Sequence, residues 1–497
     1  MEFDVSYDVV VLGGGASGKS AAYTVASKSD LSVALLEKQP QTGGTSRYAE
    51  GTGASESPEQ IKRGVPDYPG ELPEGAHFPT REEHYQRFID YSHHRANPDV
   101  VRAFVWNSGD TIQMLSDIGV EWTFVSIYAY DQPNEVYTFH RPDGLGERVQ
   151  ELLLRACINE GVEIFTSTPA KELIFDNDKI VGVKAVDVDG NEISVGAKAI
   201  VLATGGFGDD RDFVDTVTWI PNLGSKVLPS RPGIDNVGDG LRMAISAGGD
   251  TSNLGTVMVS SRIRDKTMEN PLARAAFQPT LWLNSRGERF YNEAVAHSFS
   301  DFGDVVAQLD DGELYILHAG KTIKRIEEMG SDIGLGDFLP YKAKVPGIPE
   351  AAKESMDLDE GVAWIADSIE ELAKLVGLDV EKMTAAVERY NELCVHGKDE
   401  DYFKPSEYMV PIDEPPYVCV LKSPVLNVSC GGIRINGNFQ VVDAKYSPIP
   451  GLYAVGNEAS GLYGDTYNLD TPGTANGFAH TSGRMAGLHI IETLKAE

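Results

Sequence analysis

The apolar residues at the start of the chain come as short continuous runs, not as strict alternations. Residues 7–12 are β-branched and apolar and stop at Gly13, the pattern of a strand covered on both faces in a parallel sheet. Residues 17–28, small and Ala-rich in their first turns, predict a helix. A second apolar strand is predicted over 31–36, ending at Glu37. This βαβ order predicts an α/β fold of the Rossmann type with a parallel sheet. Residues 40–80, rich in Gly, Pro, Ser and Thr, predict loop. Helices are expected over 98–118 and 146–161, with short strands at 163–166 and 172–176. Asp189-Gly190 between apolar runs at 179–187 and 192–195 predicts a hairpin. Another buried strand is expected at 199–203.

The pattern changes over roughly 256–419, where prolines and charges increase and 360–396 predicts helix. Strand–Gly–helix order then returns, with a strand at 451–455 and a helix at 475–495. This order predicts a nucleotide-binding unit in two parts, 1–255 and 420–497, interrupted by an α+β capping unit at 256–419.

Gly13, Gly15 and Gly18 give G-x-G-x-x-G directly after a strand and opening a helix. The first glycine permits the tight turn, the second lets a pyrophosphate approach the backbone, and the third lets helix and strand pack closely. Ala16 and Ser17 begin the helix, whose free N–H groups and dipole suit phosphate. Glu37 follows Gly18 by 19 residues and is placed to bond a ribose hydroxyl. The same stretch also spells a P-loop, with Lys19 and Ser20 in the lysine and magnesium positions, which opens an ATPase reading. The acidic residue at the second strand's end favours a dinucleotide, and Lys19 is then expected to face solvent. Lys38, Gly44, Thr45, Ser46 and Gly51 would wrap the rest of an extended dinucleotide, which points to FAD over NAD. Ala170, Thr204, Gly205, Asp239, Asn457, Glu458, Gly473, Thr474 and Ala475 complete the expected cofactor set.

Composition narrows the partners. Formal net charge is −32, so nucleic acid and anionic membrane surfaces are disfavoured. The four cysteines form no C-x-x-C pattern, and no metal-ligand spacing is present. Few cysteines, no apolar leader and no long apolar stretch predict a cytoplasmic protein without a membrane anchor.

These motifs resemble the flavoprotein family of fumarate reductase, succinate dehydrogenase and the 3-ketosteroid dehydrogenases. The resemblance also takes in Gly238-Asp239-Gly240, residues 287–293 (GERFYNE), Cys430-Gly431-Gly432 and the tail from Gly456. It implies non-covalent FAD whose N5 exchanges hydride with a substrate carbon, an external electron donor (a reduced nicotinamide or a reductase), and a cap over the substrate. The family's dicarboxylate-binding histidines and arginine are absent at residues 257–259, 427–432 and 467–470, and His297 stands where its proton-delivering arginine falls. A site without those cations does not compensate a dicarboxylate, so a small neutral polycyclic substrate is expected. Tyr128, Tyr130, Tyr137 and Phe139 would form its aromatic wall or pack in the core. His297 is expected as proton donor, and Tyr467 or Tyr463 as orienting or protonating residue. Arg289 is expected to pair with Glu293. Among relatives with neutral polycyclic substrates the chain resembles the tetrahydrodaidzein reductases of gut bacteria, which implies reductive removal of a hydroxyl to give equol. The alternatives are a 3-ketosteroid dehydrogenase or ene-reductase acting on a ring C–C bond, and, in other classes, a P-loop ATPase or a flavin-binding protein without turnover.

Overall fold

The computed structural model describes residues 2–68, 71–128, 135–177, 179–229, 231, 233–264, 269–334, 339–358 and 361–496. The first apolar run becomes the strand Val5–Leu12, in which Val9, Val10 and Val11 are fully buried. Such a run satisfies both faces of a covered parallel sheet. It lies at the centre of an eight-stranded sheet, with Val33–Leu36 and then Glu163–Phe165 on one side. Glu192–Leu202, Pro448–Ala454 and Gln440–Val442 follow on the other. The central pairings are parallel, with Val10 opposite both Ala34 and Ile200. Residues from both ends of the chain therefore build one sheet, as the α/β reading expects.

The hairpin at Asp189-Gly190 is present, but its second arm and the strand expected at 199–203 are one 11-residue strand, Glu192–Leu202. The polar residues between them did not interrupt it, because the first half pairs with Lys179–Val186 and the second with Val5–Leu12. The 40–80 stretch is also more ordered than expected. It holds a short strand at Thr52–Gly53 and a helix, Pro58–Arg63, started by a capping box between Ser57 and Gln60.

The helix Ala16–Lys28 packs along Thr474–Ala496 through small residues. A Cβ added at Gly483 would stand 2.0 Å from the Ser17 carbonyl oxygen, so only glycine permits this approach. The N-terminus of the last helix meets the strand Thr52–Gly53 instead, where the Gly53 N–H donates to the Gly473 carbonyl at 2.8 Å.

A second sheet of five antiparallel strands comprises Val257–Arg262, Tyr417–Ser429, Leu314–His318, Leu281–Leu283 and Ala363–Ala366. Residues 360–396 are not helical throughout: Ala363–Ala366 is an edge strand, and helices follow at Ile369–Val376 and Val380–His396. The strand Tyr417–Ser429 runs across the unit boundary expected at 419/420. No helix among the described residues is long and apolar enough to cross a membrane.

Candidate flavin and substrate cleft

Parallel sheets bind ligands in the crevice beyond the carboxyl ends of their strands. Here Leu12, Leu36 and Ala203, each at or just past such an end, line an elongated cleft. The opposite wall comes from Val257–Arg262 and Tyr417–Ser429 of the five-stranded sheet.

At one end lie Gly13, Gly15, Ala16 and Ser17. Gly13 has φ +106°, and a Cβ there would sit 2.2 Å from the Ala203 carbonyl oxygen. Gly18 does not line the cleft; its Cβ would stand 1.9 Å from the Gly13 carbonyl oxygen, so it serves the helix–turn packing. Gly15 differs from both, since a Cβ there would meet no protein atom within 4 Å. The helix N-terminus has no side-chain cap, so its first N–H groups are left for a ligand. Glu37 is 8% exposed and held by two backbone donors, Gly14 N and Gln39 N, each at 2.8 Å. A carboxylate has further lone pairs for sugar hydroxyls. Open space at Gly15, an uncapped helix start and an oriented Glu37 fit the phosphates and ribose of FAD.

Lys38, Gly44, Thr45, Ser46, Gly51, Ala170, Thr204, Gly205, Asp239, Asn457, Gly473 and Ala475 also line the cleft. Thr474 and Glu458 do not. The Thr474 hydroxyl turns back to the Thr471 carbonyl at 2.5 Å. Glu458 is buried and accepts from Thr204 N at 2.6 Å and Thr204 Oγ1 at 2.9 Å, tying two cleft loops together. Burial pushes its carboxyl up to about 8. Lys38 is ion-paired with Asp235 and Asp239 at 2.9 and 2.8 Å.

The P-loop reading fails on Lys19 and Ser20. Lys19 was expected to face solvent, yet it is fully buried. Its ammonium donates to the Gln150 carbonyl at 3.0 Å, and burial lowers its pKa to about 8. Ser20 Oγ lies 2.9 Å from His480 Nδ1. Both side chains point into the packing behind the glycine turn, where helix 145–159 and the last helix meet the first, and neither lines the cleft.

The far end is different in chemistry. Met258, Phe277, Phe299, Leu426, Val428 and Leu469 give it apolar walls, with Ser260, Asn427 and Asn468 among them. Phe277 and Phe299 stack with centroids 6.0 Å apart and planes 15° apart. Tyr128 and Phe139 line the cleft as expected, edge to face at 5.4 Å. Tyr137 lines a neighbouring cleft instead, and Tyr130 is outside the described residues. The cations among the described lining residues are each engaged. Lys38 is paired as above, Arg231 lies 4.6 Å over the Tyr48 ring, and Arg262 donates to the Pro229 carbonyl. Arg262, Phe277 and Phe299 had no local motif and were not found in the sequence.

Tyr467 lines the cleft, and Tyr463 stacks on it at 5.1 Å without lining it. Burial pushes the Tyr467 phenol up to about 12 and that of Tyr463 well above its usual value. His297 ends the short turn Glu293–His297 and packs on Tyr408 at 5.3 Å. It is not among the lining residues; Phe299, two positions on, is. Arg289 pairs with Glu293 at 2.8 Å, as its spacing predicts, and with Asp399 at 2.6 Å, 110 residues away. That triad lies in the five-stranded-sheet unit, away from the cleft lining.

The model of the family described as FAD binding domain matches residues 8–472. The chain is 33% identical over 498 residues to the vinyl phenol reductase of Lactiplantibacillus plantarum, covering 98% of this chain and 97% of that one. Its fold is similar to the open conformation of a flavocytochrome c3 fumarate reductase, at TM-score 0.76 and 21% identity over 98% of this chain and 79% of that one. It is also similar to the 3-ketosteroid delta1-dehydrogenase from Sterolibacterium denitrificans, at TM-score 0.75 and 18% identity over 98% of this chain and all of that one.

Proposed function

Since the chain belongs to the FAD binding domain family and is an FAD-dependent oxidoreductase, we propose that it reduces an uncharged phenolic substrate, adding hydride and a proton across a carbon–carbon double bond conjugated to the aromatic ring. The observation that carries this reading is the far end of the cleft, where apolar and aromatic walls surround the neutral polar side chains Ser260, Asn427 and Asn468.

FAD, when bound, supplies the hydride from N5 after reduction by an external donor, a reduced nicotinamide or a reductase. The protein's part is binding, orientation and proton supply. Glu37 and the N-terminus of helix Ala16–Lys28 would hold the adenine half. The N-terminus of helix Thr474–Ala496, reached through Gly473 and Ala475, offers N–H groups to the other half. Phe277, Phe299 and Tyr467 flank a flat ring. Tyr467, with its phenol raised to about 12, stays protonated near neutral pH and serves as a hydrogen-bond donor. His297 is assigned as proton donor from the unit 256–419; it lies two residues from Phe299 of the cleft wall and is not itself among the lining residues.

The vinyl phenol of the 33%-identical relative is the first substrate to test. A tetrahydrodaidzein-type isoflavanol presents the same neutral phenol on a larger ring system and is the second; there the hydride would replace a ring hydroxyl, which would leave with the proton as water. The test is turnover of FAD-loaded protein with a chemical reductant, reading products by mass for a vinyl phenol, a tetrahydrodaidzein-type isoflavanol, a 3-ketosteroid and fumarate. Reduction of a neutral phenol and not of fumarate is expected; preferential reduction of fumarate overturns the reading. His297→Gln should lower turnover with FAD still bound, and unchanged turnover would remove His297 from the role.

A further inference from the structure

Asn468 is 3% exposed and lines the cleft between Tyr467 and Leu469. Its amide orientation is fixed by chemistry. The Asp470 backbone N–H donates to it at 3.0 Å, so the accepting atom is oxygen and the free end is the NH2 group. That Nδ2 is buried and has no hydrogen-bond partner among the described residues. A buried donor left unpaired is costly, and a ligand oxygen that meets it recovers the loss.

We infer that Asn468 is a specificity-determining residue whose Nδ2 donates a hydrogen bond to the oxygen of a neutral substrate, a phenol or a carbonyl. An amide donates without carrying charge. It therefore satisfies a neutral oxygen fully but leaves a carboxylate's charge uncompensated. The single side chain thus favours oxygenated neutral rings over both their deoxy analogues and their acidic ones. This rests on the proposed reading of the cleft as a site for neutral phenols.

The experiment compares FAD-loaded wild type with Asn468→Leu, which removes the donor at similar volume, and Asn468→Gln, which retains an amide. Two readouts are taken: kcat/KM for a vinyl phenol against styrene, and the binding of p-cresol against toluene, read from perturbation of the flavin absorbance without turnover. Wild type should favour the hydroxylated member of each pair by roughly tenfold to a hundredfold. Asn468→Leu should bring both ratios close to one, acting through KM, with FAD stoichiometry unchanged, and Asn468→Gln should restore part of the preference. Ratios unaffected by Asn468→Leu would overturn the inference. So would an equal loss on both members accompanied by a changed flavin spectrum, which would assign the donor to FAD or to the fold. If wild type reduces neither alkene, the functional reading fails by itself. The cresol and toluene pair then still decides the inference, since the preference either depends on Asn468 or does not.

Discussion

Gly15→Val separates the cofactor's needs from those of the fold. Gly15 sits at the helix N-cap with φ −74° and ψ −170°, an extended conformation open to any residue. Its added Cβ would meet no protein atom within 4 Å. The apoprotein should therefore fold, at a cost of about 1 kcal/mol for losing glycine at the helix N-cap. The space a side chain would fill is where a pyrophosphate must approach the helix start. Losing one charge-assisted hydrogen bond there costs about 1.5–3 kcal/mol, or roughly tenfold to a hundredfold in Kd. Gly18→Ala is the contrast, because its Cβ would fall 1.9 Å from the Gly13 carbonyl oxygen and must distort the turn. The assay is FAD titration of apoprotein by flavin fluorescence, paired with thermal unfolding without FAD. Weak FAD binding by an apoprotein within about 1 kcal/mol of wild type is expected for Gly15→Val. Wild-type FAD affinity would refute the reasoning, as would an apoprotein as unstable as Gly18→Ala.

Three further outcomes follow. Arg289→Ala leaves Asp399 buried without its cation and Glu293 with only Lys404 at 3.5 Å, both carboxylate side chains being 0% exposed, and should cost about 3 kcal/mol in denaturant unfolding. Lys19→Met should keep FAD affinity and leave stability unchanged or raised by about 1 kcal/mol, because the fully buried ammonium donates to one carbonyl and touches no cleft; loss of nucleotide binding would revive the P-loop reading. Acid should destabilise the fold from about pH 6.5 downward. Burial lowers His84 and His480 to about 3 and His140 and His318 to about 4 from an ordinary 6.5. The unfolded chain then takes up protons that the fold refuses, and stability is lost as pH falls from 6.5 towards 3, by on the order of 1.4 kcal/mol per pH unit for each group. His480→Gln should shallow that slope in pH-dependent unfolding.

The dinucleotide end was readable in the sequence because its determinants are local. A strand, a glycine turn and a helix start lie within one short stretch, and Glu37 lies one strand further on. The far end was not, because its walls come from distant segments. Phe277 and Phe299 look like any core phenylalanines until packing stacks them, and Arg262 differs from a surface arginine only through its tertiary position. Lys19 misled for a related reason. Its place in a motif says nothing of what packs behind the helix, where Gln150 from another helix receives its ammonium. Asp399, which completes the Arg289 triad, lies too far along the chain for any spacing rule to find. Residues 192–202 show the same limit in the fold, since two different partners keep one strand continuous where the local pattern breaks.

The central claim is that reduced flavin in this cleft gives its electrons to a neutral aromatic alkene. Anaerobic stopped-flow mixing of the chemically reduced FAD-loaded protein with a vinyl phenol tests it in one turnover. This electron transfer should return the oxidised flavin spectrum with the vinyl phenol and not with fumarate. Reoxidation by fumarate alone would contradict it.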